Sequence, residues 1–209
     1  MRLRVMVIGF MVGFSGAVSP VFAQNRYPCK TGNFELGLFG GESYGLDRFR
    51  PMGGGNIAYG LSCHFFPFAE ASYLPGILRT VDVPTGTTTS SQQFSVDMTD
   101  FHGGLHIRVP LPESRVLPYA VVGLGLIRGS KSTGTVYNRS DFGVVAFPQT
   151  IPSSTSFAVN FGAGLRFFFS ERFAVRVEFK GFKPTSAPTP GQDPRVFFRF
   201  AIGPVFQLR

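Results

Sequence analysis

The stretch FAVNFGAGLRFFFSERFAVRVEFK, residues 157–180, decides the fold. In its first half Phe157, Val159, Phe161, Ala163, Leu165 and Phe167 fall on one parity, and Ala158, Asn160, Gly162, Gly164 and Arg166 on the other. After a short break, Phe173, Val175, Val177 and Phe179 alternate with Arg176, Glu178 and Lys180. A strict period of two over ten or more residues is the pattern of a β-strand whose two faces meet different surroundings. The break is too short for anything but a tight turn, so the two runs form an antiparallel hairpin.

The same alternation recurs along the chain. Segments 32–41, 55–66, 68–74, 94–109, 117–128, 156–168, 173–182 and 195–208 read as eight strands. In the fourth, Phe94, Val96 and Met98 lie on the opposite parity from Phe101, Leu105 and Ile107, which places an irregularity near Thr99 or carries the upper part out of the membrane. The connections alternate in length. Short ones are expected at Phe66-Pro67, 110–116 and 169–172. Long ones, rich in Ser, Thr, Gly and Pro, are expected at 42–54, 75–93, 129–155 and 183–194. Short turns on one side and long loops on the other are the habit of up-and-down barrels in outer membranes.

The physics favours that reading. In hydrocarbon every backbone N–H and C=O needs a partner within the protein, and a closed antiparallel sheet supplies one. The phenylalanine-bearing face of each strand would then meet lipid, and glycine and the few charges would face inward, in a chain with 25 Phe and 26 Gly. The expected interior charge network is Glu35, Glu70, Arg108, Arg166, Arg176, Glu178, Lys180 and Arg199, with Asp100, His102 and His106 on the same face. The chain has no tryptophan, so Tyr27, Tyr44, Tyr59, Tyr73, Tyr119 and Tyr137 are left to serve as an interfacial girdle. The rival architecture is a soluble secreted lipocalin-like ligand-binding barrel, with the Phe face turned inward.

The N-terminus points to export. Arg2 and Arg4 precede an uncharged stretch from Val5 to Val18, and Val21-Phe22-Ala23 offers small or aliphatic residues at the −3 and −1 positions. This predicts a signal peptide over 1–23 cleaved before Gln24, a short segment over 24–31 and one barrel domain over 32–209. Cys29 and Cys63 suit an oxidising compartment and can form a disulfide at the periplasmic rim. The net charge is +8 without a clustered basic run, which points to outer-membrane lipid and lipopolysaccharide rather than nucleic acid.

Specific chemistry is sparse. His102 and His106 share a strand face about 13 Å apart, too far for one metal ion. The run Gly129-Ser130-Lys131-Ser132-Thr133-Gly134 lacks the spacing of a phosphate loop. No Ser, His and acid converge in sequence as a lipid-modifying barrel enzyme would require. No catalytic residue, cofactor or metal ligand is therefore expected.

The 157–180 stretch resembles the small outer-membrane β-barrel family that includes the OmpA, OmpX and OmpW type proteins. The match runs through Asn160, Gly162, Gly164, Arg166, Arg176, Glu178 and Lys180, and continues at Pro118-Tyr119 ahead of Gly123 and Gly125. The resemblance implies an eight-stranded barrel inserted by the barrel-assembly machinery. It implies no single activity: structural, adhesive and narrow-passage roles all occur. Family chains usually end in an aromatic residue; this one ends in Arg209, with Phe206 the nearest ring. The peptidoglycan-anchoring role of two-domain relatives is not expected to carry over, and the extracellular loop partner is open.

Overall fold

A computed structural model of the chain describes residues 31–85, 88–112, 114–140, 143–186 and 195–208. Ten strands form: β1 Phe34–Tyr44, β2 Arg50–Tyr59, β3 Phe65–Thr85, β4 Thr88–Arg108, β5 Val116–Gly129, β6 Ser132–Ser140, β7 Gly143–Ile151, β8 Ser154–Phe168, β9 Phe173–Pro184 and β10 Phe197–Leu208. Eight of them close in the order β1-β10-β9-β8-β5-β4-β3-β2, every pair antiparallel, while β6 and β7 form a separate ribbon. The fold is the expected eight-stranded antiparallel up-and-down barrel, and no described helix is long and apolar enough to cross a membrane. Closure between β1 and β10, from Phe34↔Leu208 to Tyr44↔Phe198, leaves no sheet edge within the wall.

The faces settle the choice between lipid and water. Phe157, Phe161, Phe179 and Phe200 point outward at 42–52% exposure, whereas Arg166 and Arg176 are fully buried. A soluble barrel would show the reverse. On β8 the outward series from Phe157 to Phe167 covers ten residue steps, about 34 Å of strand, or roughly 24 Å of height at a 45° tilt. That is the thickness of the apolar band on an outer-membrane barrel, about 25 Å.

Three boundaries differ from the sequence expectation, each for a local reason. The first short turn lies at 60–64, not at Phe66-Pro67. Ser62 Oγ accepts the N–H groups of His64 and Phe65 there, at 3.2 and 3.1 Å. Pro67 sits inside β3, beyond the last β2–β3 pair, Ala58↔Phe68, so its missing N–H removes no rung of that ladder. Secondly, β1 and β2 extend through most of 42–54. The glycine run that reads as a loop pairs in register, Gly40↔Gly53 and Leu38↔Gly55. Between them a Cβ on Gly54 would lie 2.6 Å from the Phe39 ring, so the glycine makes room for an inward aromatic.

Thirdly, the expected loops 75–93 and 129–155 are largely strand. β3 and β4 stay paired as far as Thr85↔Thr88, and β6 pairs with β7. β4 carries no irregularity near Thr99. The bulge is in β3 between Leu74 and Ile77, where Gly76 takes φ +66°, a conformation that glycine adopts without steric cost. Phe94, Val96 and Met98 therefore share the inward face with Asp100.

The first outer turn is held by Asp47. Its carboxylate accepts Arg50 Nη2 at 2.5 Å, the Arg48 N–H at 2.7 Å and, across to β3, the Leu78 N–H at 2.9 Å. Partial burial pushes the Asp47 pKa up, but the Arg50 and backbone hydrogen bonds outweigh it and hold the group below the usual aspartate range. A depressed folded pKa means the clamp is intact above the ordinary aspartate pKa and is lost as pH falls through the lowered value. The Leu78 amide proton resonance should accordingly stay constant down through the usual aspartate range and shift upfield only below it. An Asp47→Asn variant should lack that step, and a shift centred at the ordinary aspartate pKa would refute the clamp.

Candidate functional site: the charged lumen

Inward positions on the barrel strands project side chains into a narrow interior. Five cations (Arg108, Arg166, Arg176, Lys180 and Arg199) and four carboxylates (Glu35, Glu70, Asp100 and Glu178) are all buried there. A buried charge without a partner costs several kcal/mol, so the geometry of pairing matters more than the count.

Glu35 on β1 anchors the end nearer the short turns. It accepts Arg108 Nη2 at 2.5 Å, Gln207 Nε2 at 3.0 Å and a further bond from Arg166 Nη1. The Arg108 guanidinium also lies over the Phe66 ring, 3.2 Å from its centroid. Arg166 Nη2 lies 3.1 Å from His106 Nδ1. An arginine can only donate, so this nitrogen accepts and the imidazole is neutral with its proton on Nε2. That nitrogen faces Glu178 Oε2 at 3.9 Å, and the ring stacks on Phe68 at 4.3 Å.

Glu178 and Glu70 form the middle. Tyr119 Oη donates to Glu178 at 2.7 Å, and Lys180 Nζ bridges the two carboxylates at 2.8 Å each. Arg176 makes longer contacts to both, 4.0 and 3.9 Å. Arg199 then ties Glu70, at 2.5 Å, to Asp100, at 2.6 Å. Asp100 also accepts Ser72 Oγ at 2.5 Å and meets His102 Nδ1 at 3.1 Å. The chain of contacts runs from Gln207 to His102 and draws on every barrel strand except β2.

Apolar clusters flank the charged layer on both sides. Toward the long hairpins lie Phe39, Met52, Leu74, Ile77, Met98, Ile127, Phe182 and Phe197. Toward the short turns lie Leu117, Phe168, Ala174 and Val205. Phenylalanine is not confined to the outer face: Phe39, Phe66, Phe68, Phe94, Phe168, Phe182 and Phe197 point inward.

All eight expected network residues lie in this lumen. Tyr119 does not join a lipid-facing girdle; it is 3% exposed and stands inside, where a Cβ on Gly164 would collide with its hydroxyl. Its parity, opposite to Ala120 and Val122, is the signal that gives this away. Ser72 and Gln207 also belong to the network, and parity alone places them on the inner face. Tyr44, Tyr59 and Tyr73 do face outward; Tyr27 lies outside the described residues. Cys63 sits in the 60–64 turn and is disulfide-bonded, while Cys29, the chain's other cysteine, lies outside the described residues. Among the described residues no group of three or more His, Cys, Asp or Glu is arranged to hold a metal ion.

Comparison with known proteins agrees with this architecture. The outer membrane protein beta-barrel domain family matches residues 35–196. No curated protein matches. Among solved structures, a major outer membrane protein from Thermus thermophilus is 12% identical, with a TM-score of 0.55 over 86% of this chain and 100% of that one. Neisserial surface protein A is 7% identical, with a TM-score of 0.53 over 84% and 96%. The N-terminal β-barrel domain of Pseudomonas aeruginosa OprF is 17% identical, with a TM-score of 0.46 over 85% and 98%. At these identities the likeness to the first two speaks for the fold alone. The family match spans most of the chain, and with it the lipid-facing wall and the charged interior have their explanation: this chain belongs to the outer-membrane β-barrel domain family and is an outer-membrane protein.

Proposed function

We propose that this barrel is a non-conducting, non-catalytic membrane anchor that holds its β3–β4 and β6–β7 ribbons outside the outer membrane, in a structural or adhesive role. The observation that carries the reading is the stacking of the lumen: a cross-linked ion-pair layer between two apolar layers. An eight-stranded barrel is just wide enough for side chains to fill. A permeant ion would have to break Lys180 from Glu70 and Glu178 and then cross an apolar layer such as Met52, Met98 and Phe197.

The long ribbons support the adhesive side of the reading. β3 and β4 remain paired from Ile77↔Val96 to Thr85↔Thr88, and the six pairs from Thr80↔Gln93 onward, roughly 20 Å of ladder, lie beyond the inward Ile77, Val96 and Phe94. The lack of catalysis is supported by where the histidines stand. His102 and His106 are buried among charges, away from the lipid face where a lipid-modifying enzyme would need its base. An N-terminal signal peptide and insertion by the barrel-assembly machinery fit the same reading.

The full chain folded into planar bilayers tests it. Reconstitution should give no resolved conductance steps above the bare membrane. Steady steps of uniform size would contradict the sealed lumen and favour a narrow-passage role.

A further inference from the structure

The lipid-facing wall is hollowed on one side and ridged on the other. Between β1 and β4 it carries an apolar groove of about 840 Å³. The floor is Gly55, Ala69, Ala71 and Gly103, outward positions with little or no side chain, and the banks are Leu38 and Phe101, 64% and 59% exposed. One rung crosses the groove directly, Leu38↔Gly55↔Ala71↔Phe101. On the far side Phe161, Phe179 and Phe200 stand outward on β8, β9 and β10. Phe179 stacks on Phe198 with ring centroids 5.5 Å apart. Phe161 and Phe198 both lean over Gly181, where a Cβ would lie 2.9 and 3.3 Å from their rings. The rings brace one another into a ridge.

Groove and ridge lie at one depth. Paired residues lead round the barrel from Glu35 through Ala58, Phe68, Gly104, Gly123, Asn160 and Phe182 to Phe197, next to the pair Tyr44↔Phe198, so one circuit climbs from residue 35 to the level of residue 45. That climb over the closed sheet sets a strand tilt of roughly 41°. On this lattice the groove floor spans roughly 12 Å around the barrel and only about 5 Å along the membrane normal. Phe161, Phe179 and Phe200 also span roughly 12 Å around the barrel and fall within about 1 Å of the same band of depth. β9, at the middle of the ridge, is separated from β2 and β3 by about half the circuit in either direction. An acyl chain runs along the normal and crosses such a level groove without filling it, whereas rings set side by side at one depth match it.

We propose that copies of this barrel associate side by side at high density in the outer membrane, the Phe161, Phe179 and Phe200 ridge of one copy seated in the β1–β4 groove of the next. The two surfaces differ, so the contact is heterologous. They lie on opposite sides, so each copy in a row keeps a ridge or a groove free and the row does not close. Copies inserted with the same orientation must meet at equal depth, and the register provides that match. In hydrocarbon the gain comes from packing rather than from escaping water: rings fit closely over a glycine and alanine floor that mobile acyl chains fill poorly. Three rings and the groove they enter bury roughly 900–1,500 Å² counting both sides, the range in which specific interfaces begin. A contact at the start of that range is reversible, so dilute barrels are single.

The test counts subunits by stepwise photobleaching of the full folded chain, dye-labelled at its N-terminal amine, in supported phosphatidylcholine bilayers at rising protein-to-lipid ratio. Ala71→Phe fills the groove, and F161A/F179A/F200A removes the ridge. All these positions face lipid, and heat-modifiable migration verifies that each variant is folded. Wild type should be single when dilute and grow past two subunits as density rises. Each variant alone should need a density about thirty-fold higher to pair, the loss expected for an aromatic anchor. An equal mixture of the two variants should pair at the wild-type density and stop at two subunits, because A71F keeps its ridge and the triple variant keeps its groove. Single wild-type chains at every density would mean that lipid alone covers the groove. Wild-type association by either variant alone, a mixture that stays single, or a mixture that grows past two would each overturn the assignment as well.

Discussion

Replacing Glu35 by alanine should destabilise the folded barrel by about 3–5 kcal/mol, because it strips the partner from buried cations rather than merely deleting contacts. Glu35 is 1% exposed and accepts from Arg108, Arg166 and Gln207 together. The buried Leu117, Phe168 and Val205 cluster lies on the side of the short turns and offers the stranded cations no replacement acceptor. Urea unfolding of the barrel in phosphatidylcholine vesicles, followed by loss of heat-modifiable migration, measures the change. Glu42→Ala is the control on the same strand. Glu42 points outward at the rim, and its loss should change stability by less than about 0.5 kcal/mol. Equal effects of the two variants would show that the interior carboxylate is not holding charge in a closed space.

The second large effect belongs to the outer wall. Leu124 lies on β5 midway along the apolar band, outward and 57% exposed. In a membrane, Leu124→Arg should cost about 2–4 kcal/mol, whereas Phe49→Arg, in the first outer turn, should cost about 0–1 kcal/mol. The contrast is diagnostic because in water an exposed leucine can usually be replaced for within about 0.5 kcal/mol. The same vesicle unfolding assay separates the two cases. Matching small effects at both positions would mean that the β5 outer face does not meet hydrocarbon.

The parts of this fold legible in the sequence are those where one rule acts alone. β8 and β9 lie in the middle of the wall, so outward Phe161 and inward Arg166 obey the period of two with no competing demand. The interior charges follow from the same parity, because a buried face has no other place for Glu178 or Arg199. The rule weakens where both faces become apolar. Phe94 and Met98 point into the upper lumen while Phe101 points to lipid, and periodicity cannot say which side of an apolar strand is inside. It weakens again where backbone rather than side chain decides. The glycines at 53–55 have no pattern of their own and become strand only because β1 and β3 pair with them, and Pro67 reads as a breaker although the neighbouring ladder has already ended. Tyr119 departs from the girdle because the interfacial habit of membrane tyrosines is an average preference, which the hydrogen bond to Glu178 overrides.

The same contrast explains why the individual contacts stay hidden in the sequence. Parity places Glu70, Lys180 and Arg199 on the inner face, but which carboxylate meets which cation depends on the stagger around the closed sheet. Arg166 reaches Glu35 across 131 residues of chain; no spacing along the sequence encodes that distance.

The chain contains no tryptophan, so one introduced at a time reports its own surroundings without background. Phe161→Trp and Leu124→Trp probe the outer wall, and Tyr119→Trp and Phe168→Trp probe the lumen, each folded into vesicles of phosphatidylcholine brominated on its acyl chains. A lipid-facing phenylalanine wall around a sealed, charged lumen requires strong quenching at 161 and 124 and little at 119 and 168. Quenching in the reverse order, or the same at all four positions, would contradict it.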